Sequence, residues 1–134
     1  MEISYRESLS KKVKAKVEAK IKFKVKVKVE IKSKVFDISE RFPRKEDYGL
    51  TSQIRRSSLS ISANIAESFG RKHTLNKLNF YYNSRGSLAE TKSHLIYGNK
   101  VRYFSQDEFV ELNDQIHTIW GEINKIIVTL KKKS

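Results

Sequence analysis

The chain of 134 residues has no cysteine, one proline and five glycines. Without cysteine there is no disulfide framework and no thiolate metal site, which fits a reducing cytoplasm. With Pro43 the sole proline and glycine scarce, punctuation is sparse and long regular elements are expected. No run approaches the roughly 18 to 20 apolar residues of a membrane span. Met1-Glu2-Ile3-Ser4-Tyr5 lacks the charged start and apolar core of a signal peptide. The length suggests one domain, 1–134, long enough for a real core.

Enzyme chemistry is also scarce. There is no phosphate-cradling glycine loop, no HExxH and no Ser-His-Asp grouping. His73, His94 and His117 are dispersed. Asp114 and His117 have the carboxylate-x-x-His spacing of helical di-iron sites, but such a site needs a second copy and two more carboxylates. Glu90 and His94 come nearest, at the wrong spacing of four. No cofactor, metal or enzymatic activity is expected.

What the chain has is positive charge. Lys and Arg number 28 against 15 Asp and Glu, a net +13. Residues 11–34 alone hold eleven lysines and two glutamates, leaving 17 basic and 13 acidic groups elsewhere. The imbalance favours an acidic partner: nucleic acid, an anionic membrane or an acidic protein.

Three helices are readable. Ser105-Gln106-Asp107-Glu108 is a capping box. Phe109, Leu112, Ile116, Ile119, Ile123, Ile126 and Leu130 follow at spacings of three and four, one apolar stripe over 105–133. Lys131-Lys132-Lys133 suits the negative end of the helix dipole. A second helix is expected over 74–103, with Leu78, Tyr81, Leu88, Leu95 and Arg102 on one face and Tyr82 and Ile96 beside it. Gly86 in its middle suggests a close backbone approach, against the plainer reading of a merely permitted glycine. A third is expected over 46–70, with Glu46 and Asp47 at its start, Leu50, Ile54, Ile61, Ile65 and Phe69 as its stripe, and Gly70 as its stop. Its Ser57, Ser58, Ser60, Ser62, Ala63 and Ala66 permit close helix packing.

The N-terminal third is ambiguous. From Val13 to Ile31 every odd position is apolar and every even position is Lys or Glu, the period of a strand. Such a strand would run about 60 Å, far beyond usual lengths. A helical seam through Val17, Ile21, Ile31, Val35, Ile38 and Phe42 is also possible, with Lys24 and Lys28 interrupting it. Lysine stems can cover apolar surface and so tolerate that interruption. Helix is favoured over a strand-like or disordered arm, because three amphipathic helices need a fourth to cover their apolar faces.

From residue 42 to 90 the pattern is specific: Phe42-Pro43, Tyr48-Gly49-Leu50, Gln53, Arg55-Arg56, Ser60-Ile61, Asn64-Ile65-Ala66-Glu67, Arg71, Phe80-Tyr81, Gly86-Ser87-Leu88 and Glu90. It resembles the four-helix-bundle proteins encoded within intervening sequences of bacterial 23S ribosomal RNA genes, over roughly residues 36–132. The resemblance implies an all-α, up-down four-helix bundle, a homo-pentamer with a basic surface, suspected RNA binding and no enzyme activity. Two departures stand out. Ser68 replaces the family's glycine after Glu67, so the helix should continue to Phe69. The Lys-Val repeat fills the first-helix slot with about a dozen extra residues.

For structured, ribosomal RNA the candidate contacts are Arg55, Arg56, Arg71, Lys72, Arg85 and the lysines of 11–34, whose cations match phosphates. Tyr81, Tyr82 and Tyr103 could stack on bases or simply pack in the core. Arg55 and Arg56 have no acidic residue three or four positions away on their helix, which leaves another helix or a bound anion. Asn64 and Glu67, three apart on one face, with Gly86, Ser87 and Glu90, are the candidate structural or intersubunit set. Glu90 could pair with an arginine. The alternative function is an oligomeric adaptor for an acidic protein. Membrane attachment ranks last, because alternation at period two gives no amphipathic helix.

Overall fold

The computed structural model describes Ser8, residues 10–12 and residues 30–133. The Lys-Val repeat between them, including Val17, Ile21, Lys24 and Lys28, lies outside the described residues. Among the described residues the bundle is formed by four helices: α1, described over 30–39, α2 (Leu50–Phe69), α3 (Thr74–Lys100) and α4 (Gln106–Lys133). Among the described residues there is no strand.

Cross-helix contacts give the topology. Ser57 meets Thr91, Ser60 meets Ser87 and Ser84 reaches the Ile61 carbonyl, so α2 and α3 run antiparallel. Arg85 meets Asn124, Lys92 meets His117 and Asn99 meets Gln106, so α3 and α4 do too. The helix α1 closes the square, touching α2 through Arg55–Ser39 and α4 through Lys34–Glu111. The result is an up-down four-helix bundle.

The expected stripes meet in one core. Ile31, Val35, Ile38 and Phe42 come from α1 and its exit, Leu50, Ile54, Ile61 and Ile65 from α2, Leu78, Tyr81, Leu88 and Leu95 from α3. Leu112, Ile116, Ile119, Ile123 and Ile127 come from α4, with Phe109, Ile126 and Leu130 packed at the edge. Burying a chain of such aliphatic side chains contributes about 1.5–3 kcal/mol each before entropy is counted.

Several sequence expectations need correction. The α2 helix starts at Leu50, not 46. Pro43 opens a tight 3-10 turn over Arg44–Glu46, and Gly49, at φ −111 and ψ −111, separates that turn from the helix. Glu46 and Asp47 therefore lie outside the first turn of α2. The C-terminal end of α2 does reach Phe69, with Gly70 as its cap. Phe69 itself is half exposed rather than part of the core stripe, because it falls on the flank of the helix. The α3 helix ends at Lys100, so Arg102 is not on its face. Arg102 takes φ 63. Its N–H donates to Asn99 O and that of Tyr103 to Gly98 O, the paired bonds that close a helix through a left-handed residue.

Among the described residues, nothing makes a close approach to Gly86. It is exposed, and a Cβ built there meets nothing within 4 Å. The close glycine is Gly98, whose Cβ would lie 2.6 Å from Phe104 Cε1.

Candidate nucleic-acid interface

The α2–α3 seam is built from hydroxyls. Thr91 Oγ1 donates to Ser57 Oγ at 2.8 Å, Ser87 Oγ to Ser60 Oγ at 2.8 Å, and Ser84 Oγ to the Ile61 carbonyl at 2.8 Å. Side chains this small let the backbones approach, and each hydroxyl finds a partner in the bonds so formed. Asn64 Nδ2 joins the seam, donating to Ser60 O at 2.8 Å and Ser60 Oγ at 2.9 Å. Glu67 does not bond Asn64; it is exposed and lies 3.4 Å from Arg71 on the next turn.

The expected arginines do not share one face. Arg55 is absorbed between α1 and α2: Nε donates to Ser39 Oγ at 2.8 Å, Nη2 to Glu40 at 3.3 Å, and the guanidinium lies 4.4 Å from the Phe36 ring centroid. Arg56 pairs with Glu90 on α3 and bonds Gln53 on its own helix. Arg71 pairs with Glu67 and covers Phe80 at 5.0 Å, next to exposed Lys72 at the α2–α3 turn. Arg85 faces α4, donating to Asn124 Oδ1 at 2.9 Å and lying 5.2 Å from the Tyr82 ring and 5.7 Å from the Trp120 ring. Of the tyrosines, Tyr81 is core, and Tyr82 and Tyr103 pack against its edge. Partial burial and the adjacent Glu46 carboxylate raise the Tyr103 hydroxyl above its ordinary pKa.

Charge divides along the bundle axis. The half containing the α1–α2 and α3–α4 turns, residues 30–59 and 88–120, carries ten basic and ten acidic side chains. The half containing the α2–α3 turn and the end of α4, residues 60–87 and 121–133, carries eight basic and two acidic. Ion pairing follows the same division. Lys34–Glu111, Arg41–Glu108, Arg55–Glu40, Arg56–Glu90 and His94–Glu90 all lie in the balanced half. In the other half, among the described residues, the acid pairing is Arg71–Glu67. Lys72, Lys77, Arg85, Lys125, Lys132 and Lys133 there make no ion pair among the described residues. Unneutralised cations gathered at one end form a field that attracts a polyanion.

Sequence reasoning missed Lys77, Lys125, Lys92, Asn124 and Trp120, and weighed His117 only as a metal ligand beside Asp114. The signal was available for three of them. His117, Trp120 and Asn124 recur at helical spacing on the flank of the α4 stripe, where they meet α3. Among the described residues no group of three His, Asp or Glu could hold a metal ion, and no helix is long and apolar enough to cross a membrane.

The sequence pattern of the 23S rRNA-intervening sequence protein family matches residues 25–125. Among solved structures, the chain is similar to a protein of unknown function from the S23 ribosomal protein family of Bacteroides thetaiotaomicron. The TM-score is 0.72 at 19% identity, covering 78% of this chain and 97% of that one. No curated protein matches the chain.

Proposed function

This chain belongs to the 23S rRNA-intervening sequence protein family, and from that premise we propose that it is a non-enzymatic, homo-oligomeric bundle that binds structured RNA through the basic half of its surface. The observation that carries the reading is the charge division: eight basic against two acidic side chains at one end, and parity at the other. On this reading Arg71, Lys72 and Arg85 belong to the RNA face, joined by Lys77, Lys125, Lys132 and Lys133. Arg55 and Arg56 hold helices together instead. The lysines of 11–34 add charge of the same sign. Contacts of this kind go to phosphates and give affinity with steep salt dependence and little sequence preference.

Self-association is supported by the outer groove between α1 and α2. It has a volume of about 410 Å³ and is lined by Phe36 and Leu59, both about half exposed. A second copy covering these side chains would remove apolar surface from water.

The test is filter retention of a structured ribosomal RNA fragment at several ionic strengths. Lys72, Lys77 and Lys125 changed together to Gln should lower the salt slope by about 2–3 and weaken binding at low salt. Arg44, Lys45 and Lys100 changed to Gln in the balanced half should leave both nearly unchanged. Equal losses from the two sets would remove the assignment of a face. A stable oligomer that retains no RNA would favour the adaptor for an acidic protein.

A further inference from the structure

We propose that the cleft between α3 and α4 beside Trp120 receives one unpaired RNA nucleotide, its base against the indole and its phosphate on Lys92, which His117 orients. The inference rests on the RNA-binding reading and narrows it to a nucleotide outside a duplex.

The cleft has a volume of about 200 Å³ and is lined by Ala89, Lys92, Ile116, His117 and Trp120. That is smaller than the roughly 300 Å³ at which pockets for drug-sized ligands begin. It offers room for a flat ring, not for a whole dinucleotide cofactor. Ala89 leaves space where a larger residue on α3 would fill it, and Ile116 supplies an apolar wall. Trp120 keeps 38% of its surface exposed, so a stacking surface remains.

The polar groups of the cleft are cationic or neutral. Lys92 Nζ donates to His117 Nε2 at 3.1 Å and has no carboxylate partner among the described residues. An ammonium has three N–H donors, so Lys92 keeps two for a phosphate. No acidic side chain lines the cleft. On the Asn124 side of Trp120, Arg85 is fixed by its 2.9 Å bond to Asn124 and lies 5.7 Å from the indole centroid. This holds the ring in place and adds a second cation about two helical turns from the first. The cleft opens at the border of the basic half, so a strand drawn to Lys72, Lys77 and Lys125 can reach it. An aromatic platform flanked by cations and free of acids is the chemistry by which single strands are held. A base within an A-form duplex has its faces covered and cannot stack there.

Trp120 is the only tryptophan in the chain, so indole emission, excited at wavelengths where the six tyrosines do not absorb, reports on this cleft alone. The full-length protein is titrated at matched salt with a twelve-nucleotide oligoadenylate, a twelve-base-pair RNA duplex and inorganic polyphosphate. Saturable quenching by the oligoadenylate, with the duplex and polyphosphate binding without it, is the expected result. Trp120→Leu should weaken oligoadenylate binding by roughly 5- to 150-fold and leave duplex affinity unchanged. Trp120→Phe should retain most of the affinity, which separates stacking from a folding defect. Lys92→Ala should lower the salt slope for oligoadenylate by about one. Duplex binding with no quenching by the single strand would overturn the cleft while leaving the RNA reading intact. Failure of every RNA to bind would overturn both. Equal quenching by polyphosphate, or an indole already covered by a second copy and unresponsive to RNA, would also overturn the cleft.

Discussion

Gly86 and Gly98 lie on one helix, and their chemical identity is the same. Their surroundings assign them opposite roles. Gly86 faces solvent with open space where a Cβ would go, so Gly86→Ala should stabilise the protein by up to about 1 kcal/mol through helix propensity and the unfolded chain's lost freedom. Gly98 is buried against Phe104, whose ring is itself buried and stacked with Phe42 at 6.2 Å between centroids. That ring has little room to yield. Gly98→Ala should lose more by overpacking than it gains in propensity, a net cost of up to about 2 kcal/mol. Urea midpoints of the two variants should move in opposite directions; a shift of both in one direction would mean that one environment is wrongly described. The reading of Gly86 as a close approach fails at this scale because a glycine in a sequence does not say which way its missing side chain would point.

At the scale of elements, local signals were legible and long-range ones were not. The α4 capping box is real: Glu108 N–H donates to Ser105 Oγ at 3.1 Å, and Ser105 N–H donates back to Glu108 Oε1 at 3.1 Å. It could be read because every group involved lies within four residues. The partner Arg41 could not be read, since it comes from 67 residues away. The Arg41 hydrogen bond, with the Ser105 N–H, holds the Glu108 carboxyl below its ordinary value of 4.5. A carboxyl depressed in the folded state contributes stability above the unfolded pKa and loses it as pH falls through the folded pKa. Glu108→Gln should therefore be less stable than the parent near pH 7, by under about 1 kcal/mol because the pair is partly exposed. The gap should close as pH drops below 4.5, and denaturation curves at pH 7 and pH 3 would show whether it does. The α2 start was misread for the converse reason: Glu46 and Asp47 suit a helix N-terminus, but Pro43 and Gly49 spend them on a separate turn. Ser57 and Ser60 did read correctly as a close-packing surface, whereas Ala63 and Ala66 of the same set are exposed and Ser62 bonds a carbonyl of its own helix. Ser60 accepts from both Ser87 and Asn64, so Ser60→Leu should overpack the α2–α3 seam and cost about 1–3 kcal/mol in thermal or urea unfolding. A neutral result would place that side chain in solvent.

At the scale of the whole molecule, the basic excess was legible in composition and its placement was not. Sequence order puts Arg55 and Arg56 near Arg71 and Lys72, yet the bundle places the first pair among acids and the second among further cations. Only the antiparallel stacking of helices brings Lys72 and Lys77 to the same end as Lys125 and Lys132. That arrangement has a consequence for stability without any ligand. Six cations of the basic half have no ion pair among the described residues, and their mutual repulsion opposes folding. Raising salt screens that repulsion. It also weakens the ion pairs of the balanced half, but exposed pairs contribute only about 0–1 kcal/mol each, and many contribute nothing. Relief should win. The melting temperature should rise by a few degrees between 50 and 500 mM sodium chloride, corresponding to about 1 kcal/mol. The Lys72, Lys77 and Lys125 to Gln variant should start higher and respond less, because it has less repulsion to screen. A melting temperature that falls with salt would instead mean that the Arg41, Arg56 and Lys34 pairs dominate the balance, and that the basic end is already neutralised within the fold.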